Sequence, residues 1–199
     1  MLLALTGGPA TGKSTFAALL AGRHTFETFD ADACVHGLLA ADHRIIAAVA
    51  SEFGPEVLDP AGAVHRPALR ALVFPDPAAR RRLEAILHPA VRARWLEQSA
   101  RCRDAGRDFL ADIPLLFETG ADRFFDATVT VATAAATQRG RLLARGLDHA
   151  TIEALLASQL PMEEKNGRAS SVVWNDGALG ALARQADLLL ERLSILPQP

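Results

Sequence analysis

A glycine-rich segment near the start of the chain has the residue types and the spacing of a phosphate-binding loop. Residues 7–14 match the pattern G-x-x-x-x-G-K-[ST], after the apolar run Leu2–Thr6 and before a segment with helical periodicity. Successive backbone N–H groups and a helix N-terminus can bind a phosphate chain there. The lysine can reach the terminal phosphates, and the hydroxyl after it can coordinate Mg²⁺. The candidate nucleotide-binding residues are Gly7, Gly8, Ala10, Thr11, Gly12, Lys13, Ser14 and Thr15.

This loop, residues 7–14, is called the P-loop below, and its motif is specific. With the composition of this chain, a match by chance somewhere in the sequence has a probability of roughly 10⁻³. Lys13 is one of only two lysines, the other being Lys165. The alternative interpretation is an ordinary glycine-rich turn between a strand and a helix. The pattern favours the P-loop over that alternative.

Two carboxylates follow the second predicted strand, Thr25–Phe29. Asp30 and Asp32 would lie at the carboxyl edge of a parallel sheet, where ligands bind in open α/β folds. A carboxylate there can accept the proton of an acceptor hydroxyl or help to hold Mg²⁺. The structural alternative is that Asp32 only caps the helix that it begins. Together with a P-loop, the pattern favours a functional role for at least one of the two carboxylates.

Three arginines fall on one predicted helix, Ala134–Arg145. Of these, Arg141 and Arg145 are four residues apart and therefore share a face of the helix. Guanidinium groups that close on a transferring phosphoryl group stabilise its charge. On spacing alone a solvated arginine face, which would include Arg139, is an equally good interpretation.

Two further segments have chemistry-bearing residues but weaker patterns. His88 precedes Pro89 between two predicted helices, where a histidine more often caps or packs than catalyses. The segment Pro114–Glu118 follows a predicted strand and is either a substrate-facing loop or part of the core. No His/Cys cluster has the spacing of a zinc site, and no G-x-S-x-G nucleophile motif is present.

Strands and helices alternate at both ends of the chain, which predicts an α/β fold with a parallel sheet flanked by helices. The other predicted strands are Phe109–Asp112, Ala127–Ala132 and Val172–Trp174. The other predicted helices are Lys13–Ala21, 32–40, His43–Phe53, Arg66–Val73, Pro77–Leu87, Pro89–Ala105, His149–Gln159, Glu163–Ala169 and Leu179–Leu193. The nearly all-helical block at about residues 43–105 interrupts the alternation, so we predict a helical insertion there. The tail Leu196–Pro199 is predicted to be frayed.

The composition excludes several classes of protein. The 199 residues suffice for one domain, and the formal net charge of −2 argues against binding nucleic acid by bulk positive charge. Two cysteines are too few for a disulfide framework, and no apolar run is long enough to suggest a membrane span. We therefore expect a cytoplasmic protein that binds neither nucleic acid nor membrane.

The P-loop alone leaves several functions open. A switch GTPase would need an Asn-Lys-x-Asp motif to recognise the base, and neither lysine has that context. A motor or transporter ATPase normally needs a much longer chain. A small P-loop kinase needs a carboxylate near the acceptor and arginines near the phosphates, and the sequence offers both.

The same motifs in this order resemble the dephospho-CoA kinase family over nearly the whole chain. The histidine–proline pair and the Pro114–Glu118 segment make this resemblance more specific than the P-loop does. The matching residues are Leu5–Gly8, Gly12–Thr15, Asp30–Asp32, His36, Phe53, Gly54, Arg66, Ala68–Arg70, Val73, Phe74, Leu83, Glu84, Leu87–Pro89, Pro114–Glu118, Gln138, Arg141, Arg145, Gln159, Pro161, Glu163–Lys165 and Asn175–Gly177.

This resemblance implies a single P-loop kinase domain, residues 1–199, with a helical CoA-binding insertion at about residues 43–105 and a lid at about residues 138–168. It implies ATP-dependent phosphorylation of the ribose 3′-hydroxyl of dephospho-CoA, with Mg²⁺, to give CoA and ADP. The implied catalytic residues are Asp32, Lys13 and Arg141. Arg145, Asn175 and Gly177 would join the P-loop in binding ATP. Asp30, His88, Leu115 and Glu118 would contact the substrate, and Ser14 would bind Mg²⁺, with Asp30 as a second candidate ligand.

This sequence departs from the usual family pattern inside the P-loop. The family usually has Gly-Ile-Gly-Ser-Gly-Lys there, whereas this chain has Pro9, Ala10 and Thr11 in the middle. Proline lacks a phosphate-facing N–H, and alanine restricts the backbone if a positive φ is needed. We expect altered nucleotide affinity without loss of activity. A kinase for another small metabolite or a nucleoside monophosphate and a non-catalytic ATP-binding module stay open as alternatives, as does the oligomeric state.

Overall fold

The structure is a computed structural model and describes residues 1–193, so the predicted frayed tail, Leu196–Pro199, lies outside the described residues. The chain divides into two compact units. The first contains Met1–Phe29 and the chain from Arg101 onward, and the second contains Asp30–Ala100. The first unit carries the sheet, and the second is mainly helical.

A five-stranded parallel sheet forms the centre of the first unit, as predicted. Its strands are β1 (Leu2–Thr6), β2 (Glu27–Asp30), β3 (Phe109–Asp112), β4 (Ala127–Ala132) and β5 (Ser171–Trp174). The order across the sheet is β2-β3-β1-β4-β5, and Leu5 pairs with both Asp112 and Val129. Because β1 is central and parallel to its neighbours, the P-loop that follows it lies at the middle of the carboxyl edge.

Burial on both faces of the central strands explains their continuous apolar sequences. All five residues of β1 and all six of β4 are buried. Helix α1 (Lys13–Ala21) covers the sheet with Phe16 and Leu20, both without exposed surface, and it packs against the last helix of the described chain, Leu179–Arg192. The P-loop is therefore held between a rigid strand and a rigid helix.

The second unit consists of helices around its own small core. They are α2 (Ala31–Ala41), α3 (His43–Phe53), α4 (Arg66–Val73) and α5 (Pro77–Asp104), the last of which ends in the first unit. Leu39, Val49, Leu69 and Leu87 pack together in this core. Within residues 1–193, no single helix has the length and apolar character to cross a membrane. The consecutive helices α2 and α3 meet that criterion only as a pair, which is bent by 81°.

The first unit has four further helices. They are α6 (Ala135–Ala144), α7 (His149–Ala157), α8 (Met162–Arg168) and α9 (Leu179–Arg192). Asp148 caps α7 as its sequence position predicts, since its carboxylate accepts the N–H of Thr151 at 2.7 Å.

Several predicted boundaries differ from those in the structure, and two of the differences have a physical explanation. The predicted break at His88 and Pro89 does not exist, because α5 continues through Pro89. A proline there removes the N–H that would bond to the Ala85 carbonyl and crowds that carbonyl with its ring, and we infer that tertiary packing outweighs this cost. Strand β2 begins at Glu27 instead of Thr25, because the N–H of Glu27 is the one that bonds to the Asp108 carbonyl at 2.9 Å.

Candidate active site

The P-loop backbone turns sharply between β1 and α1. Gly7 and Gly12 have φ angles of 149° and 95°, which favour glycine. A Cβ on Gly7 would lie 2.4 Å from the carbonyl oxygen of Val131, and one on Gly12 would lie 2.1 Å from Nδ2 of Asn175. Both glycines of the motif are thus required by close packing as well as by backbone conformation.

Ala10 adopts a conformation that alanine disfavours. Its φ is 57°, and within residues 1–193 it is the one non-glycine residue with a positive φ. An L-residue in this region costs about 1–2 kcal/mol. The backbone restriction that we expected from an alanine at position 10 is therefore present. The surrounding contacts must hold the loop in this strained conformation.

Three side chains donate hydrogen bonds to consecutive backbone carbonyl groups of the P-loop, those of residues 9–11. Gln138 Nε2 donates to the first at 2.8 Å, and Arg141 Nη1 donates to the second at 3.2 Å. Asn175 Nδ2 donates to the third at 2.8 Å, and Arg141 Nη2 donates to the carbonyl of Asn175 at 2.7 Å. We call Gln138, Arg141 and Asn175 the carbonyl clamp. Because these carbonyl groups are hydrogen-bonded to side chains, they are held away from an anion that binds to the N–H groups of the loop.

The N-terminus of α1 supplies donors for an anion. Among the described residues no side chain caps the helix at Gly12, so its first N–H groups are available to a ligand. Lys13 is partly exposed at the first position of the helix, and Ser14 and Thr15 are exposed after it. A phosphate chain would meet free N–H groups, a helix dipole, an ammonium and two hydroxyls within one helical turn.

Asp176 joins the start of α6 to the turn after β5. Its carboxylate accepts the N–H of Ala134 at 2.9 Å and the hydroxyl of Thr133 at 2.5 Å. These hydrogen bonds lower the pKa of the Asp176 carboxyl, with the Thr133 hydroxyl making the largest contribution. Because Asn175 precedes Asp176, this link also sets where one member of the carbonyl clamp lies.

A cavity of about 210 Å³ borders the P-loop at Gly8 and Pro9. Its other walls come from α6 and from the connection between α7 and α8, including Gln138 and Gln159. The N–H of Gly8 donates to the sulfur of Met162 at 3.2 Å, a weak acceptor. Sequence reasoning assigned no role to Met162, and to Gln138 only a match to the family pattern, because neither residue type indicates a function by itself.

Glu118 lies in a buried ion pair with Lys165, with 2.9 Å between Oε1 and Nζ. Leu115 lies in the same segment and is partly buried. Sequence reasoning assigned no function to Lys165, although its rarity was a usable signal, since it is one of only two lysines.

The remaining predicted residues of the first unit lie at the surface. Arg145 is exposed at the end of α6, and among residues 1–193 its side chain has no hydrogen-bond or ion-pair partner. Gly177 is exposed in the turn before α9. Arg139 forms an ion pair with Glu153 at 2.7 Å and also lines the cavity beside the P-loop, so both interpretations of this arginine stay predictions.

Three predicted site residues belong to the second unit. Asp30, not Asp32, is the N-cap of α2, and its Oδ1 accepts the N–H of Ala33 at 2.9 Å. The prediction that Asp32 begins the helix was wrong, because the chain turns one residue earlier than the pattern suggests. Asp32 lies exposed in the first turn. His88 is partly buried inside α5, and burial lowers the pKa of its imidazole.

Comparison with known proteins identifies the family. A sequence model of dephospho-CoA kinase matches residues 1–180. The chain belongs to the dephospho-CoA kinase family. A dephospho-CoA kinase of Anaeromyxobacter dehalogenans is 50% identical over 194 residues, 96% of this chain and 92% of that protein.

Solved structures agree with this assignment. The structure of a dephospho-CoA kinase from Campylobacter jejuni is 26% identical, with a TM-score of 0.73 over 97% of this chain and 96% of that one. The crystal structure of a protein from Thermus thermophilus is 34% identical, with a TM-score of 0.78 over 97% of both chains. The chain is therefore a P-loop kinase in fold and in family.

The strain at Ala10 predicts an unusual response to glycine. Ala10→Gly relieves the cost of the positive φ but adds chain entropy to the unfolded state, so we expect stabilisation of between about zero and 1 kcal/mol. The control Ala18→Gly, at an exposed position within α1, should destabilise by about 1 kcal/mol. Urea unfolding of both variants checks this. Equal destabilisation by both substitutions would show that Ala10 is not strained.

The carboxylate of Asp176 predicts a pH-dependent contribution to stability. Because its pKa is lower in the folded state, the stabilisation is present above the unfolded pKa of about 3.9 and is lost as the pH falls through the folded value. Asp176→Asn should reduce the free energy of unfolding at neutral pH by less than about 1 kcal/mol, since the group is exposed. Urea unfolding across this pH range should show the two proteins converging in acid, and a constant difference would refute the assignment.

Proposed function

We propose that this chain transfers the γ-phosphoryl group of ATP to the ribose 3′-hydroxyl of dephospho-CoA, giving CoA and ADP. The observation that carries the proposal is the P-loop at the carboxyl edge of the sheet, in a chain that belongs to the dephospho-CoA kinase family. A kinase of this class needs three parts: a phosphate cradle, a base for the acceptor hydroxyl and cations that stabilise the transferring group.

The cradle is the part with the most complete structural support. The first N–H groups of α1 would bind the phosphate oxygens of ATP, and the Lys13 ammonium would reach the terminal phosphates. Gly7 and Gly12 adopt the positive φ angles and the close packing against the protein that this shape of loop requires. Asn175 and Gly177, in the turn beyond the loop, would lie beside the adenine.

Mg²⁺ fits this site as a partner of the nucleotide. Within residues 1–193 no group of three or more His, Cys, Asp or Glu side chains could hold a metal ion. Mg²⁺ is commonly bound by few protein ligands together with phosphates, and the exposed Ser14 hydroxyl is placed to be one of them. Asp30 is a second candidate, since only one of its carboxylate oxygens is used in capping α2. Bound there, Mg²⁺ would neutralise charge on the phosphates.

Asp32 is the proposed general base. It matches the catalytic position of the family, it is exposed, and capping of α2 by Asp30 leaves its own carboxylate available. An ionised carboxylate can accept the proton of the ribose 3′-hydroxyl as that oxygen attacks phosphorus.

The two arginines would act differently. The Arg141 guanidinium already binds carbonyl groups of the P-loop, so its contribution to catalysis would come from holding the loop in shape. Arg145, without a partner in the described chain, is available to reach the transferring phosphoryl group. Both lie in the region that we assign to a lid, about residues 138–168.

The substrate-binding residues are proposed from their positions in the family pattern. We assign His88 and the helical block at about residues 43–105 to substrate binding, together with Leu115 and Glu118 after β3. The lowered pKa of His88 keeps its ring neutral at neutral pH, which suits hydrogen bonding without charge. We expect the protein to act in the cytoplasm.

Replacing the proposed base separates catalysis from nucleotide binding. Asp32→Asn removes the proton acceptor, so we expect turnover to fall by at least about 10²-fold while ATP affinity stays unchanged. The matched control Asp104→Asn changes another exposed aspartate, at the end of α5, and should leave turnover unchanged. ADP release and ATP titration measure the two quantities. Near-normal turnover of the Asp32 variant would remove it from this role.

The acceptor is tested by comparing ADP release from Mg-ATP with no acceptor, with dephospho-CoA and with a nucleoside monophosphate. We expect strong stimulation by dephospho-CoA alone. Stimulation by the nucleoside monophosphate instead would indicate a different kinase. ATP binding without stimulation by either acceptor would indicate a non-catalytic module.

A further inference from the structure

Lys165, in α8, is a charged residue with no exposed surface. Lysine is rarely fully buried, because removing an ammonium from water is costly unless it is paired. The proposed function does not use this residue. The burial of Lys165 therefore needs an explanation beyond the proposed function.

The Lys165 ammonium contacts three oxygen atoms. Nζ donates to the carbonyl oxygen of Pro114 at 2.8 Å and to Oε1 of Gln159 at 3.1 Å, and it forms an ion pair with Oε1 of Glu118 at 2.9 Å. Together these contacts fix the position of the ammonium and compensate its charge.

These contacts join two segments, one of which contacts the end of β1 and the other the P-loop. Pro114 and Glu118 are the two ends of the segment after β3, and the Pro114 carbonyl also accepts the hydroxyl of Thr6 at 3.1 Å. Glu118 Oε1 accepts the N–H of Leu160 at 2.9 Å, in the connection between α7 and α8. The next helix places the Met162 sulfur against the N–H of Gly8, so the ion pair links both flanks of the first turn of the loop.

The pair depends on both of its members. Oε2 of Glu118 is buried and has no hydrogen-bond partner among the described residues, so Lys165 is its main source of compensation. Burial lowers the pKa of the Lys165 ammonium, and the nearby charge of Lys13 lowers it further, whereas Glu118 opposes the shift.

We propose that Lys165 is a positioning residue for phosphoryl transfer, which acts through Glu118 and Pro114 to fix the segment after β3 and the α7–α8 connection against the P-loop. This inference rests on the proposed kinase function. Catalysis by positioning is sensitive to small displacements. A mutation far from the reacting atoms that misplaces them by about 1 Å can lower the rate on the order of 10²-fold.

The first test is Lys165→Met, which removes the ammonium and keeps most of the side-chain volume. We expect kcat to fall by on the order of 10²-fold, while the Kd for ATP changes by less than about threefold, because Lys13 and the loop amides remain. Titration with ATP also gives the fraction of folded, binding-competent protein, and kcat is expressed per binding site. An unchanged kcat per binding site would overturn the proposal.

The decisive variant replaces the whole pair, Glu118→Met with Lys165→Met. Exchanging a buried ion pair for apolar residues often restores or raises stability, since no unpaired charge is left. We expect the thermal midpoint to recover while kcat stays low, because the hydrogen bonds to Pro114, Gln159 and Leu160 are still missing. The assay uses saturating dephospho-CoA, so that loss of a substrate contact of Glu118 appears in KM and not in kcat. If kcat recovers together with stability, the pair is merely structural and the proposal fails.

A matched control guards against a general effect of losing an ion pair. Arg23→Met breaks the pair between Arg23 and Asp187, which joins the far end of α1 to α9, and it should leave kcat unchanged. The wild-type protein is assayed first with dephospho-CoA. A wild type without activity on it would refute the proposed function, whereas an active wild type with an equally active Lys165→Met variant would refute only this inference.

Discussion

The structure depends on one constraint, which is that a phosphate-binding loop must direct its backbone N–H groups to the ligand and its carbonyl groups elsewhere. In this chain the carbonyls of residues 9–11 are bound by Gln138, Arg141 and Asn175. The elements that carry those side chains, α6 and the turn after β5, are in turn joined by Asp176. The shape of the loop is thus set by residues more than a hundred positions away in the chain.

The same constraint explains how an alanine can occupy a position that disfavours it. The strain at Ala10 is of the same order as one or two hydrogen bonds, and the carbonyl of this residue and those on either side of it are hydrogen-bonded to the carbonyl clamp. Lys13 and Arg141 place positive charge at the loop. The charge of Lys165 is buried elsewhere in the same unit, and its ion pair with Glu118 compensates it.

Local pattern predicted much of this fold and little of the side-chain network. The P-loop and the helix from Lys13 were predictable because the motif requires a strand before it and a helix after it, and the parallel sheet followed from alternating elements. The continuous α5 was missed because tertiary packing outweighed the local preference of Pro89. The carbonyl clamp and the Glu118–Lys165 pair were missed because contacts across long sequence separations leave no local pattern. The roles of Asp32, Arg145 and His88 stay predictions.

The central claim is that the phosphoryl group passes from ATP to the ribose 3′-hydroxyl of dephospho-CoA. Mass spectrometry of the acceptor after incubation with the chain and Mg-ATP, with fragmentation to locate the added group, tests it most directly. The account predicts the gain of one phosphoryl group, on the ribose 3′-oxygen, with ADP formed in equal amount. An unmodified acceptor in the presence of bound ATP, or a phosphoryl group at another position, would contradict it.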